Sequence, residues 1–258
     1  MTVSIRNLFR FIFALFVFVG LFLFESPTRV DLQLSHLGAL EVLAHPFGCD
    51  RLGRDHWAML SYGALTTILI TIPSRILTLL FATFVSFAGM GKNKFLALLS
   101  EVFASVFLSV PSLLVALVTI AILSDSILGI LLSIVFSDWA ISFETLQGKL
   151  REIRKSGFIS ASQALGANSS HLLIFHYIPA TRNILEFLFV TGIPSVIMTI
   201  ALFSYLGINT DVFSFGPGLG EQISFSKDYF SVSPLSVLLP VLGIVSLVYS
   251  FSSEEKIK

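Results

Sequence analysis

Charge is scarce in this chain. Asp, Glu, Lys and Arg make up 12% of its residues, about half of the roughly 25% carried by an ordinary soluble domain. That leaves too little polar surface to clothe a water-soluble globule, so a freely soluble domain is excluded. Acidic and basic residues balance at 16 each, which excludes a net field that would draw the chain to nucleic acid or to an acidic surface. Cysteine occurs once, at Cys49; one thiol excludes an intrachain disulfide and by itself falls far short of a metal site. No Gly-rich turn ends in Gly-Lys-Ser/Thr. The nearest imitation, GMGKN at 89–93, lacks the hydroxyl residue and a first glycine at the proper distance, so the chain has no phosphate-binding loop of its own. Nor do the apolar stretches carry the Ser/His, paired-Asp or H-E-x-x-H constellation of an intramembrane protease.

What is abundant is apolar surface: 55% hydrophobic residues, 26 of them Phe, and a mean hydropathy of +0.89. A lipid-facing helix can expose Phe at no cost, so the bilayer is read as the solvent. A crossing needs roughly 20 mostly apolar residues, and six stretches qualify: Leu8 to Phe24, Ala64 to Ala88, Phe95 to Leu123, Ile127 to Leu146, Ile178 to Leu206 and Pro234 to Phe251. The second, third and fifth exceed one crossing, which predicts tilt or an interfacial end. The fold class expected is all-α, a polytopic membrane protein with six transmembrane helices. The first stretch follows Arg6 and Arg10 as a signal peptide would, yet it is long and FESPT at 24–28 offers no small-x-small cleavage site; it reads as an uncleaved anchor.

Basic residues orient the spans. With the N-terminus inside, the inner segments hold Arg6, Arg10, Lys92, Lys94, Lys149, Arg151, Arg154, Lys155, Arg182, Lys256 and Lys258, eleven in all, against four outside (Arg29, Arg51, Arg54, Lys227), with Arg75 within a span. Both termini are therefore expected in the cytoplasm. Three segments then lie outside the hydrocarbon: an outer loop at 25–57, an inner loop at about 147–177, and an outer loop at 207–233 broken by FGPGLG at 215–220.

The inner loop is the most informative. Phe158 to Leu165 predicts a short helix, ended by Gly166 in the left-handed conformation. Small residues (Ser160, Ala161, Ser162, Ala164) would let another surface approach, with Phe158 and Leu165 as apolar anchors. Composition alone leaves two readings level, a docking helix for a cytoplasmic partner and a helix resting on headgroups.

The loop resembles that of the permeases of binding-protein-dependent ABC importers, whose pattern is E-A-A-x-x-x-G with a proline about a dozen residues on. Here the segment is S-A-S-Q-A-L-G at 160–166, with Pro179. The peptide-importer branch, Y-V-E-A-A-x-A-L-G-A followed by a His two residues before L-P or I-P, is matched by Phe158, Ile159, Ala161, Ala164, Leu165, Gly166, Ala167, His176, Ile178 and Pro179. HPFGCDRLGRD at 45–55 resembles H-P-L-G-T-D-x-x-G-R-D, and Tyr62-Gly63-Ala64 continues it. VPSLLVAL at 110–117, SYLG at 204–207 and PGLGEQISFSKDYF at 217–230 resemble further family segments in the right order. The resemblance is to the C-type permease subunit of dipeptide and oligopeptide importers. It implies the type I importer permease fold, with Phe158, Ile159, Ser160, Ala161, Ala164, Leu165, Gly166 and Pro179 in an ATPase-coupling element. It also implies as partners a second related permease, two ATPase subunits and an extracytoplasmic solute-binding protein, besides membrane lipids, and no nucleic acid. No cofactor is expected, and ATP hydrolysis would reside in the partners. The chain departs from the pattern at Ser160 (family Glu), Ser162 (Ala), Leu219 (Trp) and Ser105 (Asp). The alternatives are a permease for nickel or another small solute, and a non-transport membrane scaffold.

Charges inside spans are functional candidates by default. Arg75, Glu101 and Glu186 qualify: Arg75, after Pro73, is expected to pair with one of the glutamates, and both glutamates lie near the inner interface. His45, Asp50, Asp55 and His56 cluster in the outer loop, but their spacing matches no familiar ligand pattern. Asp50, Arg51, Arg54 and Asp55 read instead as a hydrogen-bonded turn capping span two. The organisation expected is an N-terminal span at 1–24, an outer loop at 25–57, a permease core at 58–252 with the coupling helix near 158–167, and a cytoplasmic tail at 253–258, in the cell (inner) membrane.

Overall fold

The structure is a computed structural model and describes residues 5–90, 94–124, 126–211 and 213–252. Lys92, Lys256, Lys258, most of the GMGKN turn and the 253–258 tail lie outside the described residues. The described residues form ten α-helices and no strand: α1 (Ile5–Leu23), α2 (His56–Gly89), α3 (Lys94–Ser109), α4 (Ser112–Leu123), α5 (Ile127–Arg154), α6 (Gly157–Ala164), α7 (Ser169–Leu172), α8 (Ile178–Tyr205), α9 (Leu219–Ser226) and α10 (Leu235–Phe251). A π-helical segment, Leu173–Tyr177, joins α7 to α8.

Among the described residues four helical segments are long and apolar enough to cross a membrane, α1, α2, α5 and the run Ser169–Tyr205, and the bent pair α3–α4 qualifies as a fifth when taken together. α10, with 17 residues, is shorter and sits at the low end of the range for a crossing. The third expected span is not a straight helix. It breaks into α3 and α4, bent by 99°, at Pro111, which has no N–H to continue the ladder. An apolar run reads the same straight or bent, so composition hid the break. α5 also outruns its expected span by two turns, because Gln147–Arg154 is helical rather than loop; its last turn carries Arg151 and Arg154, where cations meet the negative end of the helix dipole.

The chain divides into two compact units, residues 1–73, 123–130 and 193–258 in one and 74–122 and 131–192 in the other. In the first, α2 begins where Asp55 caps it: its carboxylate accepts the Ala58 N–H at 2.9 Å. Trp57 donates its indole N–H to the Phe16 carbonyl at 2.9 Å and stacks on the Phe16 ring at 4.7 Å. Gly20 makes this approach of α1 and α2 feasible, since a Cβ there would strike Ser61 and Trp57. At the other end of α1, Arg10 donates to the carbonyls of Ser250 (2.5 Å) and Ser252 (3.3 Å), and Arg6 to Ser252 at 3.1 Å. The two arginines thus satisfy carbonyls left open at the C-terminus of α10. Buried hydroxyls of α2 bond back to their own helix, Thr67 to the Gly63 carbonyl and Thr71 to that of Thr67, which satisfies them away from water.

α9 packs closely in this unit. Gln222, 2% exposed, donates to the Met59 and Pro217 carbonyls at 2.7 and 2.9 Å. Gly220 lies so close to α8 that a Cβ would collide with the Ala201 carbonyl and the Tyr205 amide. Backbone cannot yield as a flexible side chain can. Gly220→Ala is therefore expected to lower stability by about 1–3 kcal/mol, read as a lower thermal midpoint in detergent, while Gly148→Ala, where a Cβ meets nothing within 4 Å, leaves it unchanged or raised.

In the second unit, Trp139, Phe143, Ala82, Ala104 and Ala140 form one buried cluster, against which Phe81 and Phe107 pack. Trp139 is ringed by Phe81, Phe103 and Phe107 with centroids 5.3–5.4 Å away. A further cluster is Leu146, Leu150, Ile153, Ile159, Leu172 and Tyr177, which seats α6 on the end of α5 and on the π segment. Outside these clusters the helices expose Phe84, Phe95, Leu98, Val118 and Ile122, an apolar surface suited to lipid.

Candidate functional site

The loop helix α6 runs from Gly157 to Ala164, one residue ahead of its expected bounds. Its end is built as the sequence implies. Gly166 takes φ +88°, donating to the Gln163 carbonyl at 3.0 Å, and Ala167 donates to Ser162 at 3.1 Å, so open carbonyls of the last turn are closed by a left-handed residue. Ile159, 1% exposed, points into the hydrophobic cluster beneath. Phe158 is 49% and Leu165 89% exposed, and Ser160, Ala161, Ala164 and Gly166 are exposed with them. The eight residues assigned to coupling therefore do not share one face: Ile159 anchors the helix from below, and Pro179 lies in the first turn of α8.

Pro179 has its own effect on the backbone. Without an N–H it cannot close on the Phe175 carbonyl four residues back, and the turn ahead of it widens to π, with Ile178 N–H reaching the Leu173 carbonyl five residues away. This register places His176 against α6. Its Nε2 is hydrogen-bonded to the Ser162 hydroxyl at 3.1 Å, and its ring lies 5.9 Å from that of Phe158. Ser162, read in the sequence as a departure from the alanine pattern, is a latch on α6. His176 is the residue whose positioning role needed the fold to appear.

The intramembrane charges resolve differently from expectation. Arg75, 2% exposed, does not pair with a glutamate. Its Nη1 forms an ion pair with Asp138 of α5, and Nε donates to the Leu188 carbonyl of α8 at 3.1 Å. Gly192 clears the space for this: a Cβ there would land on the guanidinium. Glu101 instead meets Arg151 at 3.4 Å and Glu186 meets Arg182 at 2.7 Å, all four side chains more than half exposed. Both glutamates have a cation nearer than Arg75, and the buried guanidinium takes an acid that is itself only 15% exposed. Asp138, absent from the candidates the sequence suggested, stands inside the fourth apolar stretch; its signal there is the same as that of Arg75, one charge in an apolar run.

In the outer loop, the turn at 50–55 is present. Asp50 accepts the Leu52 and Arg54 N–H groups at 2.9 and 2.8 Å and pairs with the Arg54 side chain at 2.7 Å. Arg51 lies over the Phe225 ring, 3.4 Å from its centroid. Of the four clustered residues only two meet, His45 Nδ1 and Asp55 Oδ2 at 2.9 Å: His56 donates from Nδ1 to the Phe47 carbonyl and bonds Ser236 through Nε2 at 2.6 Å, while Asp50 is engaged in its turn.

The family of binding-protein-dependent transport system inner membrane components matches residues 82–253, two thirds of the chain. The chain belongs to this family. The match takes in α6, the π segment, Asp138 and the whole of α8 to α10. Among individual proteins, this permease is 24% identical over 208 residues to the dipeptide transport system permease protein DppC of Alkalihalophilus pseudofirmus, covering 81% of this chain and 68% of that one. It is 28% identical over 165 residues to the oligopeptide transport system permease protein OppC of Bacillus subtilis, covering 64% and 54%. The alignments thus span between about half and two thirds of those relatives. Family membership together with the apolar helices makes the chain a multi-pass membrane transport component of all-α fold.

Proposed function

We propose that this permease is one of two membrane subunits of an ATP-driven peptide importer, lining half of the pathway, and that α6 is the element on which a separate ATPase acts. The observation that carries the reading is α6 itself: a short helix held by Ile159 and the Ser162–His176 bond, yet turning Phe158, Ala161, Ala164 and Leu165 outward as an exposed surface. Small side chains admit a close surface, and exposed Phe and Leu supply the apolar anchors of an interface. The names of the two relatives favour di- or oligopeptides as cargo. One such subunit encloses half a path, so a second permease, two ATPases and a solute-binding protein complete the assembly; closure of the ATPases would rock the spans between inward- and outward-open states.

In this arrangement both termini face the cytoplasm. The excess of eleven inner over four outer basic residues supports it, as does the bonding of Arg6 and Arg10 at the start of α1 to the last carbonyls of α10, which puts the two ends on one side. Among the described residues, those of 1–24 then form the first crossing, those of 25–57 an outer loop, and those of 58–252 the core.

A single cysteine at Leu165 tests the assignment, because Cys49 is wholly buried and leaves a silent background. In the assembled importer it should crosslink to the ATPase subunit. Modification of residue 165 by an impermeant reagent added only from outside would refute the reading. Ser160, where the family pattern has Glu, is exposed and its hydroxyl makes only a 3.5 Å contact with the Ser156 carbonyl. Ser160→Glu is expected to raise ATP-dependent uptake in vesicles by about twofold, the worth of one exposed ion pair, and Ser160→Arg to give no such gain.

A further inference from the structure

The outer loop brings together three side chains that lie apart in sequence. His45 Nδ1, Cys49 Sγ and a carboxylate oxygen of Asp55 lie within 4.8 Å of one another. Two features of the backbone create this. Gly48 turns at φ +74°, and the chain returns on itself through the bridge between Cys49 and Asp55. Asp55 is fixed on its other oxygen by the Ala58 N–H; Cys49 is fixed by its N–H to the Leu37 carbonyl at 3.0 Å. His45 Nδ1 meets Asp55 Oδ2 at 2.9 Å.

We propose that His45, Cys49 and Asp55 form a three-ligand binding site for a zinc-class divalent cation that ties the outer loop to the N-terminus of α2. Thiolate, imidazole and carboxylate together are the donor set of zinc rather than of calcium or magnesium, which take oxygen alone. Ligand atoms around a tetrahedral zinc stand roughly 3.5 Å apart, so an ion needs only a small inward movement of the thiol. The backbone bonds to Asp55 and Cys49 supply the outer support such ligands require. Access is open from the side of His45, which is 24% exposed beside the exposed residues 41–44, and a water would take the fourth position. On binding, the Cys49 thiol releases its proton to solvent, and His45 ligates through Nδ1 as the neutral tautomer with its proton on Nε2. The charge around the site suits a cation: the carboxylates of Asp55, Asp50 and Asp31 all act on Cys49, and negative charge attracts a positive ion. Cys49 stands where the family pattern has Thr, so the site is a property of this chain and independent of what it transports.

Cobalt(II) added to the purified full chain in detergent should produce a thiolate-to-cobalt charge-transfer absorption that one equivalent of zinc abolishes. Cys49→Thr, which restores the family residue and an ordinary fold, should show no such band and bind zinc roughly 100-fold more weakly or worse. Zinc should raise the thermal midpoint of the native chain and leave that of Cys49→Thr unmoved. Should Cys49→Thr not fold, His45→Gln, which can still bond Asp55, carries the same comparison. Absence of the band in the native chain, or an equal zinc effect in the native chain and the variant, overturns the proposal.

Discussion

Replacing Asp138 with alanine is expected to destabilise this permease by about 3–5 kcal/mol, the largest loss from any single substitution considered. The reason lies in what remains behind. Arg75 is 2% exposed and the Asp138 side chain 15%; without the carboxylate, a guanidinium stays buried with only the Leu188 carbonyl to face it. Removing one partner costs more than removing both, because an uncompensated charge in a low-dielectric interior has lost its solvation without gaining a counter-ion. The double replacement Arg75→Met with Asp138→Leu is therefore expected to recover much of the stability lost by Asp138→Ala, and thermal unfolding of the purified chains in detergent gives the order. Asp138→Ala melting with the native protein would show that the pair does not hold α2, α5 and α8. Recovery of stability without recovery of transport in the double replacement would place the pair in the transport cycle as well.

If α6 couples to ATPases as proposed, Gly166→Val is expected to leave membrane insertion intact and to cut ATP-driven uptake at least tenfold, while the ATPases of the proposed assembly continue to hydrolyse ATP. A Cβ at Gly166 meets nothing within 4 Å, so space is not the obstacle; the obstacle is φ at +88°. An L-residue there costs roughly 1–2 kcal/mol, and a β-branched one more. The strain is relieved by rebuilding the turn whose bonds run from Gly166 and Ala167 to Gln163 and Ser162, which tips α6 off its seat. Gly166→Asn, tolerant of the left-handed region, should retain more uptake than Gly166→Ala, and Gly166→Ala more than Gly166→Val. Uptake unchanged in Gly166→Val would remove α6 from the coupling path.

Much of this was legible before the fold was known, and the failures have a common cause. The apolar runs located α1, α2, α5, α8 and α10, and the small-residue stretch ending in Gly166 located α6 to within one residue, because both signals are local. The 99° break between α3 and α4 escaped, since Pro111 inside an apolar run marks a kink without stating its size. The helical continuation of α5 through Arg154 is not legible in hydropathy, because charged residues end the apolar run without ending the helix. Ser162 and His176 were each noticed for their place in a pattern, but the bond between them depends on a π register that Pro179 imposes on the residues before it.

The amino-acid sequence by itself determined that this chain lives in a bilayer, which segments are helical and apolar, and where the short helix between the fourth and fifth apolar runs begins and ends. Those properties follow from hydropathy and backbone preference, which each residue carries with it. Only the tertiary structure decided which charge Arg75 meets, what holds α6 from beneath, and that His45, Cys49 and Asp55 converge. Partner choice across tens of residues depends on which side chains reach the same buried point, and there the cost of leaving a charge or polar atom alone selects one pairing from several that the sequence allows.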